Sequence, residues 1–113
     1  MIRFLPLLTL TAVACSSANL RGTPEFAAAE NTWKSTCAAC HGSHGSPPPE
    51  WADKGMRRFG TTGMSMGFFF GGDKMRRGIA ATITQGKGTL MPAFKDKLTP
   101  AEIDNLVRYI EAL

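Results

Sequence analysis

Histidine, cysteine and long apolar runs are scarce in this chain. Of its 113 residues two are His and three are Cys, so any imidazole or thiol chemistry must be assembled from those five side chains. The apolar opening from Phe4 to Val13 is only ten residues long, about half of what a transmembrane helix needs. Basic residues are spread thinly, 13 against 9 acidic for a net charge of +4. With no dense basic run and no ladder of aromatics, a nucleic-acid partner is excluded, and the charge supports mild steering toward an acidic partner. The length is that of one domain.

Two of the three cysteines and one of the two histidines stand together in Cys37-Ala38-Ala39-Cys40-His41. Two thiols three positions apart with an imidazole directly after the second are what covalent haem attachment requires. Cys37 and Cys40 then form thioethers with the two vinyl groups of one haem, and His41 falls beneath the ring as the proximal iron ligand. Other readings fit less well. A disulfide oxidoreductase places its Cys pair at a helix N-terminus after a strand, where a thiol pKa is lowered; here the helical run Phe26 to Thr36 precedes the pair, and no strand pattern is visible. A zinc site would crowd Cys37, Cys40, His41 and His44 into eight residues, whereas finger-type sites separate the Cys and His pairs by about a dozen. A structural disulfide leaves His41 unexplained.

The start of the chain reads as a processing segment. Met1-Ile2-Arg3 is a short basic opening, and the apolar run ends at Ala12-Val13-Ala14-Cys15, a small-residue cleavage site. The sequence predicts a signal peptide over residues 1–14, a tether over 15–22 and one folded domain over 23–113. Ala12-Val13-Ala14-Cys15 also resembles the lipobox of bacterial lipoproteins, in which the Cys is diacylated and becomes the new N-terminus; Ala12 departs from the commoner Leu. Lipidation of Cys15 would anchor the protein to a membrane on its exported side, while ordinary cleavage after Ala14 would leave it soluble in the periplasm with a free thiol. The mature chain, without Arg3, has 12 basic and 9 acidic residues, a net +3.

The remaining chain reads as helices and loops. Thr23-Pro24-Glu25 is a helix start, and Phe26, Ala29, Trp33 and Cys37 share one face. His41 to Pro49, with two glycines and three consecutive prolines, must be a loop, and His44 an exposed loop histidine. Met56 to Met66 reads as irregular, wrapped over one edge of the cofactor. Trp51, Arg57 and Arg58 are candidates to bind haem propionates, and Phe68-Phe69-Phe70 reads as cavity wall or core. Gly71-Gly72-Asp73 predicts a helix start, with Met75, Ile79, Thr82 and Ile83 on one face and Gly86 as its end. Thr99-Pro100-Ala101-Glu102 is a capping box, and Ile103, Leu106, Val107 and Ile110 form a buried stripe flanked by Tyr109. Of the six methionines, Met91 alone combines a following proline, a preceding glycine-rich turn and a helix beyond it. It is the candidate distal ligand, with Met64 the alternative.

Three stretches together resemble a class I c-type cytochrome, the small monohaem electron carriers of bacterial respiration: Ala29 through Trp33 to Cys37-Ala38-Ala39-Cys40-His41-Gly42; Ile83 through Gly86 and Gly88 to Met91-Pro92-Ala93-Phe94; and Leu98 through Glu102-Ile103 and Leu106 to Tyr109-Ile110. The similarity covers about Pro24 to Leu113. It implies an all-α, cytochrome c-like fold with about three main helices around one covalent haem c, the first and last crossing near Ala29, Trp33, Leu106 and Tyr109, with His41 and Met91 as axial ligands. Two departures stand out. Ala29 replaces a glycine common at the crossing, and the proline whose carbonyl accepts from the proximal imidazole could be Pro47, Pro48 or Pro49. The expected function is single-electron transfer in an exported respiratory or redox chain, without a small-molecule substrate, with redox proteins docking at the haem edge. Export agrees with the motif, because haem is attached to such proteins outside the cytoplasm. A haem enzyme or gas sensor with an open distal site is the alternative, and a haem-free Cys/His metal-binding module a third reading.

Overall fold

The computed structural model describes residues 21–113. The expected signal peptide (1–14), Cys15 and all of the tether except Arg21 and Gly22 lie outside the described residues. Helix α1 spans Pro24–Thr32 and starts as its sequence dictates: Thr23 Oγ1 accepts from the Phe26 N–H at 3.2 Å, with Pro24 in the first turn. The chain then widens into one π-type turn over Trp33–Cys37, in which the Ala38 N–H reaches back five residues to the Trp33 carbonyl. Such turns concentrate at functional sites, and periodicity gave no sign of this one. Helix α2, Ala38–His41, ends at Gly42, whose φ of 81° only glycine adopts easily. A Cβ at Gly42 would also lie 1.9 Å from the Ser46 carbonyl oxygen, so the loop after His41 folds back against it.

After the single turn α3, Pro49–Ala52, comes α4, Thr62–Gln85. The helical signal around Gly71–Gly72 was real, but it marks an interior break: Gly72 sits at φ 50°, ψ −129° and divides α4 in two. Residues 62–66 are therefore helical and not irregular as their glycines suggested. The physical reason is packing. Gly67 leaves room for Met75 from beyond the break, since a Cβ there would meet the Met75 sulfur at 2.9 Å. The phenylalanine triplet is likewise corrected. Phe68 is buried, whereas Phe69 and Phe70 are 81% and 76% exposed, because residues one apart on a helix point about 100° from each other and only one of three can face inward.

Helix α5, Pro100–Glu111, carries the expected capping box, with Thr99 Oγ1 and the Glu102 side chain satisfying each other's backbone N–H groups. It lies across α1 and α4. Ala29, Trp33, Leu106, Val107 and Tyr109 are buried where α1 meets α5, and Tyr109 packs against Phe26 and Trp33 at ring distances of 5.3 and 6.0 Å. The crossing implied by the resemblance is thus present, with Ala29 accommodated. Among the described residues there is no strand, only an isolated bridge between Lys87 and Met91. The fold is all-α, built on α1, α4 and α5.

One ion pair ties the far half of α4 to the end of α5. Arg76 Nη2 and Nε donate to Glu111 Oε1 and Oε2 at 2.6 and 2.8 Å, and Nη1 donates to Asp73 Oδ1 at 3.0 Å. The hydrogen bonds from Arg76 hold the Glu111 carboxyl below its ordinary value of 4.5. A carboxylate depressed in the folded state adds stability above its unfolded pKa and loses it as pH falls through the folded value. We expect Arg76→Ala to cost about 1 kcal/mol at pH 7, the upper range for a half-exposed pair with two-point geometry, and the cost to vanish in acid. Thermal melts at pH 7 and pH 3 check this; an equal deficit at both would contradict it.

Candidate functional site

A cavity of about 1000 Å³ opens between the π-type turn and α2, the segment 54–59, the far half of α4, the inner face of α5 and the loop after α4. That volume is at the top of the range for small-molecule and cofactor sites. Cys37, Cys40, His41 and Met91 all line it, together with apolar walls from Ile79, Ile83, Phe94, Leu106 and Ile110. Residues fifty positions apart in sequence, His41 and Met91, are thereby brought to one space.

The His41 ring packs in a triangle with two aromatic rings that also touch each other, 5.9 Å apart. Trp33 lies 5.7 Å and Phe59 5.5 Å from its centroid, each tilted by 36°. Trp33 is almost wholly buried, and its indole Nε1 donates to the carbonyls of Gly42 and Ser43, both at 3.1 Å, so the same side chain also clamps the turn after His41. Burial lowers the imidazole pKa, which keeps the ring neutral, the form that ligates metal. His41 Nδ1 is buried with no hydrogen-bond partner. The proline carbonyl expected from the resemblance does not reach it: Pro48 O accepts from Trp51 and Ala52, and Pro49 O from Asp53.

Cys37 and Cys40 are both half-buried free thiols. Burial, with a smaller contribution from Cys40, pushes the Cys37 thiol up to about 11. A disulfide oxidoreductase needs the opposite shift, so that reading loses its chemical basis. The zinc reading also fails, because no group of three or more His, Cys, Asp or Glu converges among the described residues.

Met91 sits on a tightly pinned loop. The N–H groups of Lys87 and Met91 each donate to the other's carbonyl, at 3.0 and 3.2 Å, and the Phe94 N–H donates to Ile83 O at 3.0 Å. Gly86 ends α4 at φ 75°, and a Cβ on it would fall 2.6 Å from Met91 O and 2.9 Å from Ala93 N. Backbone cannot yield as a flexible side chain does, so we expect Gly86→Ala to displace the Met91 segment and cost about 1–3 kcal/mol. Chemical denaturation together with the haem spectrum checks this; a variant of unchanged stability and spectrum would contradict it. Met56, Met64 and Met75 also line the cavity. Met64 is buried on α4, a wall residue fixed by its helix and not part of a loop.

The cavity mouth is basic, with Lys54, Arg57, Lys87 and Lys97 among its lining residues. Of the three propionate candidates only Arg57 lines the cavity. Arg58 turns to Ser46 Oγ at 3.3 Å, and Trp51 is covered by the Lys54 ammonium 4.3 Å from its ring centroid. His44 is exposed, as its loop predicts. Phe59 is the site residue that sequence reasoning missed. It lies in a loop, outside any helical period, and its only signal was an aromatic following an arginine pair.

These residues fit a haem of the c type. Two thiols and a neutral imidazole, packed against two aromatic rings and with a buried, unpartnered nitrogen, line an apolar cavity with a basic rim. The comparisons agree with the geometry. The family described as "Cytochrome C oxidase, cbb3-type, subunit III" matches residues 24–110. The chain is 34% identical over 92 residues to the cbb3-type cytochrome c oxidase subunit FixP of Azorhizobium caulinodans; the match covers 80% of this chain but only 28% of FixP. It is 32% identical over 94 residues to cytochrome c6 of a Picosynechococcus strain, covering 79% of this chain and 77% of that protein. Among solved structures, the KustC0563 c-type cytochrome superposes with a TM-score of 0.62 at 26% identity, over 74% of this chain and 94% of its own. The chain belongs to this cytochrome c family: it is a small c-type cytochrome with covalently bound haem c.

Proposed function

We propose that Cys37 and Cys40 hold the haem through thioether bonds, that His41 and Met91 are its axial iron ligands, and that the protein carries single electrons in an exported respiratory or redox chain. When bound, the group supplies a one-electron Fe(III)/Fe(II) couple. The observation that carries the reading is that all four side chains line one cavity. His41 offers a neutral nitrogen oriented by Trp33 and Phe59. Met91 offers a thioether from a loop tied to Ile83 and Lys87, and as an iron ligand this neutral group would favour the reduced iron and raise the potential. With both axial positions filled by protein, no place remains for a substrate, and the protein is a carrier and not an enzyme. Lys54, Arg57, Lys87 and Lys97 on the rim suit an acidic redox partner docking at the cavity mouth, where a haem edge would be reached.

Export follows from the leader read over residues 1–14, with Cys15 acylated and residues 15–22 as the tether of the domain 23–113. An optical redox titration tests the carrier reading. We expect one fully reversible one-electron wave from a protein that still stains for haem after denaturing electrophoresis. Loss of the stain on denaturation would remove the thioether assignment, and an irreversible or multi-electron wave would remove the carrier assignment.

A further inference from the structure

Phe69 and Phe70 have no part in the cavity, and they are not scattered surface residues. Their rings stack edge to face at 5.1 Å, and Met66, one helical turn earlier on α4, is itself 53% exposed. Three large apolar side chains thus form one patch on a protein whose cavity opens elsewhere, and contiguous exposed patches of this kind mark interaction surfaces.

Two observations say what covers it. The first is charge. Just past the Gly72 break, Lys74 and Arg77 are both exposed, whereas the nearby acidic groups Asp73 and Glu111 are engaged by Arg76. Exposed phenylalanines followed within a few residues by exposed lysine and arginine suit an anionic lipid interface. The second is where the N-terminal chain joins the fold. Arg21 Nη2 donates to the Ala112 carbonyl at 2.7 Å, next to Glu111, which Arg76 grips; Arg76, Glu111 and Phe69 border the same shallow depression. The six residues Ser16 to Arg21 can extend at most about 22 Å, so a bilayer holding an acylated Cys15 would lie within that reach of Arg21, which is fixed at the end of α5 that Arg76 ties to the same depression as Phe69.

We infer that Met66, Phe69 and Phe70, with the exposed Lys74 and Arg77 just beyond the Gly72 break, form a second membrane contact that docks on anionic lipid and fixes which way the cavity mouth faces. The inference rests in part on the acylation of Cys15, and its test separates the two. Mass analysis of the wild-type N-terminus decides acylation alone. The patch is tested on the haem-loaded Cys15→Ser protein, which has no acyl chain, by sedimentation with vesicles of phosphatidylglycerol and phosphatidylcholine. We expect binding to the mixed vesicles, at least about tenfold weaker binding after Phe69→Ser with Phe70→Ser, and loss of the preference for anionic over pure phosphatidylcholine vesicles after Lys74→Glu with Arg77→Glu. An unchanged haem spectrum in each variant shows that the fold survives. Equal sedimentation of Cys15→Ser with and without the phenylalanines would overturn the inference. So would light scattering that shows a dimer of the Cys15→Ser protein reverting to monomer when they are replaced, since the patch would then bind a second copy of the chain.

Discussion

Replacing both Cys37 and Cys40 with Ala abolishes covalent haem and leaves the domain largely unfolded; this is the largest effect we expect from any pair of substitutions. Among the described residues only eleven hydrophobic side chains are buried, and several of them, including Met64, Ile83, Phe94, Leu106 and Ile110, have the cavity as a neighbour. A chain this small has little core to spare. A space of about 1000 Å³ walled by apolar side chains cannot stay open in water without a large loss of packing and hydrophobic burial. Circular dichroism and a haem stain of the exported double variant measure both halves of the expectation. A well-folded, haem-free protein would contradict it.

The second large effect belongs to Met91. We expect Met91→Ala to lower the reduction potential and to open the iron to carbon monoxide, while Met64→Ala does neither. Both methionines line the cavity, so proximity alone does not choose between them. Their supports differ. Met91 lies on a segment anchored by backbone hydrogen bonds at Lys87 and, through Phe94, at Ile83, and it precedes a proline that restricts its backbone. Met64 is buried at the start of α4, packed as part of the hydrophobic core, where its loss is a cavity defect of about 2–5 kcal/mol in stability and not a change of ligand. Potentiometry and carbon monoxide spectra of the two variants separate a ligand from a wall. Exchanged phenotypes would move the assignment to Met64.

What was legible in the sequence was local chemistry with its own punctuation. The Thr23 and Thr99 caps, the buried stripe of α5, the loop at His41 and the Cys-x-x-Cys-His unit each declare themselves within a few residues, because capping and attachment depend on fixed short spacings. The features that escaped depend on distant partners. Residues 62–66 looked irregular within a glycine-rich stretch, and Gly71 read as a helix start, yet Gly67 and Gly71 are where the Met75 side chain rests. Phe59 became a clamp on His41 only through the fold of the 42–59 loop, where its own N–H donates to Gly45 O at 2.8 Å. The phenylalanine triplet was read by its hydrophobicity, and helical geometry sent two of the three outward. The expected proline partner of His41 was a property of the resemblance, and in this chain the Pro48 and Pro49 carbonyls serve α3 while His41 Nδ1 has no partner.

The central proposal is that one covalent haem sits in this cavity with protein ligands on both sides of its iron. The absorption spectrum of the reduced wild-type protein, recorded before and after carbon monoxide is added, tests it most directly. We expect the spectrum of a six-coordinate c-type haem that carbon monoxide leaves unchanged. A prompt shift to a carbon monoxide adduct would show an open or labile distal position and contradict the His41/Met91 carrier.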